Sequence, residues 1–480
     1  MIILKIIGIL LLVIVVLLLI AILRTLIFIP RKYSNYVPKN EPEREEEYAH
    51  KLSKMVQYET VSIKDVDQRE KFLGFHKVLE KQFPLLFKNL EKTEIDGNLL
   101  FKWKGLKSDK PIVLMSHQDV VPAKASEWMK DPYSGDIENG KVYGRGTADI
   151  KCGVMSFMQA VEELLDEGYT PEQDIYLSSS CTEEVGGKGC PALVNEMKKR
   201  GVKPWLVIDE GGAIVEEPIG GCKGKYAMIG VVEKGMGDLK IIARSKGGHS
   251  STPGPNTPLE RLAAFINDIS KHNPLKKEFI PQATAMFETM APYGPFYLRL
   301  LFGNLWLFKP LLKKILGKIS PTAGALITTT IAFTMCEGSS ASNVIPSVAS
   351  VTANMRYAPH QGMKESNEII TKVAKKYNLE TELVSGYDYC PPVDTNSDAF
   401  KYVEETVNKV FPGLPTCPYV MTGGTDAKFY SEICDACIRF SPVIFGPEQF
   451  NGMHGIDECI DTVSLPGAVD FYKTIIKDAK

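Results

Sequence analysis

The sequence predicts an α/β protein with a mixed, mostly parallel sheet, an inserted ferredoxin-like α+β domain and an N-terminal transmembrane helix. Three observations lead to this prediction. Short apolar runs alternate with helical patterns over residues 46–236. A β-α-β-β-α-β order then extends over residues 237–387. The first 32 residues contain one long apolar run.

Length and composition set the broad class. A chain of 480 residues exceeds what one ordinary core covers, so we expect two domains. The net charge of −2 gives no electrostatic reason to expect a nucleic acid partner. The 10 cysteines are scattered, and the lone C-x-x-C of Cys434 and Cys437 lacks the second pair of a structural zinc site. We expect packed thiols, although the count alone leaves disulfides open.

The N-terminal run at residues 6–23 is unbroken by polar residues. At about 1.5 Å per residue it reaches roughly 27 Å, close to the hydrocarbon thickness of a bilayer. A cleaved signal peptide is the alternative, but it would have a shorter run and a small-x-small cleavage site. Residues 27–30 read IFIP instead. We therefore predict an uncleaved membrane anchor over residues 1–32.

Charges beside the anchor give a weak orientation signal. Lys5 and the α-amine precede the run, whereas Arg24, Arg31 and Lys32 follow it. The surplus after the run favours a cytoplasmic domain. It amounts to one or two charges, so the side of the membrane stays open.

The first domain begins after a linker, residues 33–45, that is polar and acidic with two prolines. The alternating pattern that follows is typical of a parallel sheet covered by helices. The predicted strands are 111–116, 174–180 and 206–208, and a helix is predicted at 153–167. We assign residues 46–236 to the first part of this domain and 388–480 to the second.

The inserted domain has strand patterns and helical patterns in ferredoxin-like order. The strands are predicted at 238–243, 328–335, 348–356 and 380–385, and the helices at 258–270 and 364–377. A long insertion, residues 273–325, interrupts it. Residues 296–319 of that insertion mix large apolar residues with lysines. Two interpretations stay open: a helical hairpin packed on its own domain, or an interfacial membrane surface or fatty-acyl groove wall.

Five short motifs offer metal-ligating side chains at strand ends or glycine-rich turns. Any one of them alone is compatible with a structural histidine or a solvated carboxylate. The Glu183-Glu184 pair is more specific because it follows an apolar strand and precedes two glycines. Histidines and carboxylates together suit zinc with an open catalytic position. The motifs are SHQDVV with His117, GRGTAD with Asp149, TEEVGG with Glu183 and Glu184, DEGG with Asp209 and Glu210, and GMHG with His454.

These motifs, in this order, resemble the co-catalytic zinc peptidase family over about residues 46–475. That family includes carboxypeptidase S, acylamino-acid amidohydrolases, acetylornithine deacetylase and succinyl-diaminopimelate desuccinylase. The stretches DEGG, NLWLFKPLL, ITTTIAFT and SNVIP are most similar to the branch of carboxypeptidase S and N-fatty-acyl-amino-acid synthase/hydrolase. The resemblance implies a zinc-peptidase catalytic domain whose insert serves as a lid and dimerisation domain.

The resemblance also implies a role for each matching residue. Two Zn²⁺ per subunit, with Co²⁺ or Mn²⁺ as substitutes, would be held with Asp149 bridging them. Asp119 would orient a ligand, and Glu183 would be the general base. The choice between Asp209 and Glu210 stays open, with the closer branch favouring Asp209. The implied ligand set is His117, Asp149, Glu184, Asp209 and His454.

Other implied residues belong to the substrate. His249, in GGHSSTP of the insert, would donate to the oxyanion after lid closure or from the partner subunit of a homodimer; otherwise it is an ordinary turn histidine. Relatives often carry Asp-Asp-Lys after the GRGT glycines, where this chain keeps only Asp149 as an acidic residue. The implied substrate contacts are Asn343, Arg356, Gly423, Gly424 and Thr425.

The predicted function is a membrane-anchored metallopeptidase or amidohydrolase. It would cleave the amide bond of short peptides, as a carboxypeptidase-like protease, or of N-acyl amino acids with a free carboxylate. A long-chain N-fatty-acyl amino acid hydrolase/synthase is the alternative. A catalytically inactive, membrane-tethered binding protein is a third hypothesis, but it would have lost Glu183 or the ligands, which are all present. A serine hydrolase would need a G-x-S-x-G motif that this sequence lacks.

Overall fold

Residues 2–34 and 36–480 are described by the computed structural model. The first part of the chain carries the N-terminal helix and most of the large sheet. Its elements are α1 (Ile2–Ile27), α2 (Pro42–Val56), α3 (Arg69–Gln82), α4 (Pro84–Asn89), β1 (Glu91–Ile95), β2 (Asn98–Trp103), β3 (Lys107–Met115), β4 (Ile137–Glu138), β5 (Lys141–Tyr143), α5 (Cys152–Asp166), β6 (Gln173–Ser179), α6 (Gly189–Lys199), β7 (Leu206–Asp209), β8 (Ala213–Glu216) and β9 (Lys225–Glu233).

The middle and last parts of the chain complete the architecture. The middle part contains β10 (Gly235–Arg244), β11 (Gly248–His249), α7 (Pro258–Lys271), α8 (Pro281–Met290), α9 (Phe296–Phe302), α10 (Leu305–Ile319), α11 (Pro321–Ala325), β12 (Thr330–Glu337), β13 (Val344–Ile345), β14 (Val348–Tyr357), α12 (Met363–Lys376) and β15 (Glu380–Tyr387). The last part contains α13 (Asp398–Val410), β16 (Thr416–Met421), α14 (Ala427–Tyr430), β17 (Cys437–Arg439), β18 (Ile444–Phe445), α15 (Pro447–Gly452), β19 (Cys459–Asp461) and α16 (Leu465–Lys477).

The large sheet is mixed, as the sequence predicts. Its strand order is β1-β2-β6-β3-β7-β17-β9-β8-β18, with β16 pairing to β9. The central strand β3 runs parallel to both β6 and β7. Its residues Ile112, Val113 and Leu114 are fully buried because helices cover both faces of the sheet. Strand β17 from the last part of the chain pairs in parallel with β7, so both ends of the chain build one sheet.

The middle part folds around a second, smaller sheet with the antiparallel order β12-β14-β10-β15. Numbered along the chain, this is the 2-3-1-4 order of the ferredoxin-like motif. Helices α7 and α12 pack on the sheet, and Leu239, Phe265, Val351 and Ile370 are buried between them. The sheet therefore has a hydrophobic core of its own.

The insertion at residues 273–325 packs differently from its sequence neighbours. Helices α8 to α11 bury their apolar faces in the core of the first domain, with α8 lying against β16. Phe287 and Phe302 contact each other there at 4.8 Å between ring centroids. The hairpin prediction is right about helices, but the helices pack on the large sheet and not on the inserted sheet. Burying large apolar residues requires a large apolar surface, and the first domain provides it.

The chain consequently passes between the two cores four times, and the four crossings lie together. The Glu278 N–H donates to the Ile327 carbonyl at 2.7 Å, which joins the second and third crossings. The Cys390 N–H donates to the Glu233 carbonyl at 3.2 Å, which joins the fourth and first. The buried Lys234 ammonium donates to the Thr328 carbonyl at 2.6 Å.

Helix α1 is a candidate membrane span by its length and composition. Its 26 residues reach about 39 Å, and it is exposed except near its end, where Ala21 and Thr25 are fully buried. The segment after it, which the sequence predicts to be a linker, lies against the first domain. The Ser34 hydroxyl donates to the Lys225 carbonyl at 2.6 Å, and Tyr36 packs edge-on against Phe411.

Candidate metal centre

Three neighbouring parallel strands deliver acidic and histidine side chains to one edge of the large sheet. His117 follows β3, the Glu183-Glu184 pair follows β6, and Glu210 follows β7. The carboxyl ends of parallel strands meet at the same edge, where α/β proteins place their sites. Next to these side chains, the backbone of Met228 packs directly against Gly212. Only glycine fits there, since an added Cβ would lie 2.1 Å from the Met228 carbonyl oxygen.

Asp149 is presented by a turn that a buried carboxylate holds in place. Glu458 accepts hydrogen bonds from the backbone N–H groups of Gly146, Ala148 and Asp149 at 2.8–3.0 Å. The guanidinium of Arg145 donates to the same carboxylate at 2.6 Å, and both side chains are buried. Glu458 and Arg145 were not predicted from the sequence. The arginine in the GRGTAD motif could have indicated a buried carboxylate partner.

The Arg145 side chain that holds the Asp149 turn also contacts the turn of His454. His454 lies in the turn after α15 with a φ of +54°, a left-handed conformation that non-glycine residues adopt only when neighbouring contacts hold it. Arg145 donates through its second nitrogen to the Gly455 carbonyl at 2.6 Å. The Arg145–Glu458 pair therefore fixes the turn of Asp149 and the turn of His454 relative to each other.

The carboxylate of Asp149 lies between the two histidines. One oxygen is 3.2 Å from Nε2 of His117, and the other is 3.0 Å from Nε2 of His454. Glu184 Oε2 is 3.0 Å from His454, and Glu210 Oε1 is 3.3 Å from His117. The arrangement gives two groups of three side chains that share one carboxylate.

At DEGG the structure places Glu210 beside His117, whereas the family resemblance favours Asp209 as the ligand. Asp209 is buried away from the cluster, where its carboxylate accepts a hydrogen bond from the Ala427 N–H at 2.8 Å. Successive residues at a strand end point to opposite faces, so only one of the two reaches the cluster. Burial and the nearby Asp426 carboxylate raise the pKa of Asp209 to about 7.

Asp119 occupies the supporting position expected for it. The Nδ1 atom of His117 lies 2.9 Å from the Asp119 backbone carbonyl and 3.4 Å from its carboxylate. An Nδ1–H donated there leaves Nε2 free as a ligand. The buried carboxylate also accepts from the Ser62 hydroxyl at 2.7 Å and from the backbone N–H groups of Glu183 and Glu184 at 3.2 and 3.1 Å. It thus orients one histidine and the turn with the two glutamates.

Glu183 lies beside His117 and Glu210. An oxygen of its carboxylate lies within 4.8 Å of ligand atoms of both residues, so these three side chains are themselves a group that could hold a metal ion. Burial raises the pKa of Glu183 well above its usual range, and the neighbouring Glu210 carboxylate adds to the effect. The low-dielectric environment thus favours the protonated form of this carboxyl group.

The charges of the cluster suit divalent cations. Four carboxylates, those of Asp149, Glu183, Glu184 and Glu210, face only two imidazoles. Hydrogen bonds to Asp149 and Glu184 raise the pKa of His454 to about 10. Burial raises the pKa of Glu210 to about 8. Glu184 Oε1 is buried with no hydrogen-bond partner among the described residues. An unpartnered carboxylate oxygen in an acidic pocket fits a metal ion.

His249 and Asn343 come together on the inserted domain. His249 is the last residue of β11 and Asn343 directly precedes β13, which pairs with β11, and the Ser250 N–H donates to the Asn343 carbonyl at 3.1 Å. Both residues are exposed. The Nδ1 atom of His249 is 2.8 Å from the Ser251 hydroxyl. The structure thus brings these two predicted residues to one another, on a surface of the insert.

The other predicted substrate residues lie near the junction of the two domains. Gly423 is exposed, and a Cβ there would meet nothing within 4 Å. The buried Thr425 hydroxyl donates to Glu233 at 2.9 Å. The sequence argument did not select Lys428, whose ammonium donates to the Thr425 carbonyl at 3.1 Å and lies 5.0 Å from the Tyr387 ring centroid. The remaining two residues are Gly424 and Arg356. A Cβ added at Gly424 would lie 2.4 Å from the Tyr387 hydroxyl, and Arg356, on β14, pairs with Met236 on β10.

A cavity of about 560 Å³ opens from the cluster. Asp149 and Glu210 line one end of it. Apolar side chains line most of the remainder, and they come both from the sheet and from the insertion helices α8 and α11. They include Met228, Met286, Ala323, Leu326, Phe445 and Phe450. The loop at residues 217–220 also borders the cavity.

Comparison with known proteins identifies this arrangement. The model of peptidase family M20/M25/M40 matches residues 113–478, which contain every side chain of the cluster. The chain belongs to this peptidase family. It is therefore a metal-dependent hydrolase that acts on amide bonds, and both the family resemblance and the α/β fold predicted from the sequence are confirmed.

Full-length relatives support the assignment. N-fatty-acyl-amino acid synthase/hydrolase PM20D1 of Xenopus tropicalis is 33% identical over 436 residues, covering 89% of this chain and 85% of the relative. Probable carboxypeptidase S-like 2 of Dictyostelium discoideum is 31% identical over 445 residues, covering 90% and 85%. The M20 family metallo-carboxypeptidase Sso-CP2 of Sulfolobus solfataricus has the same fold, with a TM-score of 0.65 at 20% identity over 89% of this chain and 98% of that one.

The buried Glu458 carboxylate provides a first prediction. Replacing Glu458 with glutamine puts an amide N–H₂ group among three backbone N–H donors, so the Asp149 turn should loosen. We expect Glu458→Gln to weaken metal binding about 10–100-fold, as for other groups that orient metal ligands. Competition with a chelator measures this. Glu448→Gln is the control, because Glu448 pairs with Lys141 at the surface. Equal metal affinity of Glu458→Gln and wild type would contradict the role.

The positions of Glu210 and Asp209 give a second prediction. Glu210→Gln should reduce the metal content of purified protein by about one ion per chain, since an anionic ligand is lost. Asp209→Asn should leave the content unchanged, because the amide oxygen still accepts the hydrogen bond from Ala427. Elemental analysis after dialysis distinguishes them. The reverse pattern would return the ligand role to Asp209.

Proposed function

We propose that this protein is a di-zinc hydrolase that cleaves the amide bond between an apolar acyl group and an amino acid with a free carboxylate. The observation that carries the proposal is the apolar cavity that begins at Asp149 and Glu210. A reacting amide at the cluster would place its acyl chain in this cavity. Pockets of this size and lining suit a largely apolar ligand with a few polar groups at one end.

The proposed metal number rests on the geometry of Asp149. His117 and Glu210 lie on the side of one of its oxygens, and His454 and Glu184 on the side of the other. Each side offers one imidazole and one further carboxylate, the nitrogen and oxygen ligands that zinc accepts in hydrolases. Co²⁺ and Mn²⁺ are the proposed substitutes. When bound, the ions would polarise the amide carbonyl and acidify the attacking water.

Glu183 is the proposed general base. Its carboxylate lies near His117 and Glu210, while the neighbouring Glu184 lies 3.0 Å from His454. A raised pKa suits a group that takes a proton from water and then gives it to the departing nitrogen. Asp119 holds the turn of both glutamates through their backbone N–H groups. The two adjacent glutamates therefore have separate roles, one anionic ligand and one proton carrier.

His249 and Asn343 are proposed to complete the site from the inserted domain. They share one short ribbon and are exposed, so a rotation of the insert or a partner subunit of a homodimer would bring them to the amide together. His249 would donate a hydrogen bond to the developing oxyanion. Arg356, Lys428 and the N–H groups of residues 423–425 would bind the free carboxylate of the amino acid.

Two substrate classes follow from the relatives. The name of the Xenopus protein specifies N-fatty-acyl-amino acids, and that of the Dictyostelium protein a carboxypeptidase. The cavity favours the acyl substrate here, because each buried CH₂ contributes about 0.8 kcal/mol and a short peptide would leave most of this volume unfilled. Condensation of a fatty acid with an amino acid would use the same groups in reverse. Hydrolysis of short peptides is the second candidate.

Helix α1 is proposed to remain as an uncleaved membrane anchor. A signal sequence passes the same tests of length and apolarity. Retention is favoured by the burial of Ala21 and Thr25 against the insertion helices, which a cleaved chain would leave uncovered. The proposal places the protein in a membrane as a single-pass protein and leaves its side open.

A third prediction concerns the base. Glu183→Gln should keep its metal content and lose about 10²–10⁴-fold in turnover, because the proton acceptor is removed while the ligands stay. His117→Ala should lose metal as well as activity. Turnover of N-oleoyl-phenylalanine and elemental analysis measure both. Near wild-type activity of the Glu183→Gln enzyme would show that Glu183 is not the general base.

The fourth prediction concerns the cavity. Gly220 borders it, and a Cβ at Gly220 would meet nothing within 4 Å, so a large side chain fits without strain on the fold. Gly220→Trp should lower kcat/KM for N-oleoyl-phenylalanine at least about tenfold, and leave N-acetyl-phenylalanine nearly unchanged. Lys223→Trp, in the same loop but outside the cavity, is the control. Equal losses on both substrates, or wild-type turnover of only a Gly-Leu peptide, would contradict the acyl proposal.

A further inference from the structure

The insertion helices and the end of helix α1 meet at a polar contact inside an apolar interface. The side-chain amide of Asn304 is fully buried and donates to the Thr25 hydroxyl at 2.9 Å. Thr25 in turn donates to the Ala21 carbonyl at 2.7 Å. A buried pair of this kind fixes the register of two packed helices, because any slip leaves polar groups unpaired.

Two more contacts hold the end of the apolar helix. The side chain of Ile29 fits over Gly303, where an added Cβ would lie 2.2 Å from its Cδ1 atom. The Lys32 N–H donates to the Pro292 carbonyl at 2.8 Å. The candidate membrane span is therefore fixed to the insertion over about two turns of helix, and the direction in which it leaves the domain is defined.

Exposed apolar side chains surround that docking point. We define the docking face as the exposed residues of α9 and α10, from Phe296 to Ile319. Helix α10 buries Leu305, Phe308, Leu312 and Leu316 on its inner side. On its outer side Trp306 is 51% exposed. The other large exposed apolar residues of the face are Phe296, Tyr297, Leu311 and Ile319.

The composition of the docking face matches the interfacial region of a membrane. Aromatic residues beside an apolar span are typical of the headgroup level, where one end of the ring is apolar and the other is hydrated. Lys314 and Lys318 are exposed on α10 among these residues, and the face carries no Asp or Glu. A basic, aromatic amphipathic helix binds the bilayer surface with its apolar side chains in the headgroup boundary.

The docking face adjoins segments of the chain that line the cavity. A Cβ at Gly221 would lie 3.5 Å from the Tyr297 hydroxyl and 3.4 Å from Leu298, so α9 touches the loop whose residues 217–220 line the cavity. Helix α11, which directly follows the docking face, contributes Ala323 to the same cavity. The exposed aromatic residues thus lie beside one loop and one helix that line the cavity.

We infer that the docking face rests on a lipid bilayer and that the substrate's acyl chain passes from the bilayer into the cavity. The occupant of the face is the membrane in which helix α1 is embedded, since the helix is fixed to this face and leaves the domain there. This inference rests on the proposed anchor and acyl substrate. It adds that the insertion is a membrane surface and that entry is lateral, from the lipid.

The position of Trp306 tests the docking face without reference to activity. The full chain is reconstituted in phosphatidylcholine vesicles that contain lipid with a nitroxide at carbon 5 of an acyl chain. The chain has 4 tryptophans, so the difference between wild type and Trp306→Phe isolates this residue. We expect the nitroxide to quench the fluorescence of Trp306 and aqueous iodide to leave that fluorescence unchanged. Quenching of Trp306 by iodide and not by the nitroxide would overturn the inference.

Activity on two substrates tests lateral entry. The variant Phe296→Ser/Trp306→Ser/Leu311→Ser removes only exposed side chains, so the fold should persist. Its kcat/KM for N-oleoyl-phenylalanine held in vesicles should fall about tenfold, with no change for water-soluble N-acetyl-phenylalanine. The control variant Leu106→Ser/Leu383→Ser/Val384→Ser, also exposed, should match wild type on both. Equal activity of the two triple variants on the vesicle substrate would refute lateral entry.

The two experiments separate this inference from the proposed function. A wild-type enzyme that hydrolyses N-acetyl-phenylalanine but not N-oleoyl-phenylalanine would refute the acyl substrate and lateral entry together. The quenching of Trp306 would still decide whether the face lies in the membrane.

Discussion

The carboxylate of Glu458 accepts three backbone N–H groups of one turn and the guanidinium of Arg145, all without access to water. Removing one partner of such a buried charged pair typically costs about 3–5 kcal/mol. The Arg145–Glu458 pair sets the distance between the turn of Asp149 and the turn of His454. These two turns lie far apart in the chain. The shared carboxylate can lie between two histidines only if this distance is fixed.

The strand ends supply the rest of the cluster, and the electrostatics follow from bringing them together. Four carboxylates in one buried pocket repel each other, which favours bound protons in the protein without metal. In line with this, the pKa of His454 is raised to about 10 by its hydrogen bonds to Asp149 and Glu184, and burial raises the pKa of Glu210 to about 8. Metal binding would release these protons, which makes the affinity for metal lower in acid. Glu183 and Glu184 differ in their surroundings, because Glu183 lies near His117 and Glu210, whereas Glu184 lies beside His454.

Much of this could be predicted from the sequence because the signals were local. An apolar strand followed by His117 or by the Glu183-Glu184 pair predicts a side chain at a sheet edge, and the β-α-β-β-α-β order predicts the inserted sheet. The choice between Asp209 and Glu210 could not be predicted, because it depends on which face a single residue points to at the end of β7. Glu458 was missed because a carboxylate that binds backbone N–H groups leaves no pattern of residue types. The partner of the insertion helices was missed because apolar spacing shows which face of a helix is buried but not what covers it.

The return of the insertion helices to the first domain changes how the inserted domain can move. A domain connected by two chain segments can twist and swing about either of them. Here four crossings lie side by side and are hydrogen-bonded to one another through Glu278, Lys234 and Cys390. Four adjacent connections restrict sliding and twisting and favour rotation about the line that joins them. Any movement of the insert about that line would carry His249 and Asn343 together along one arc.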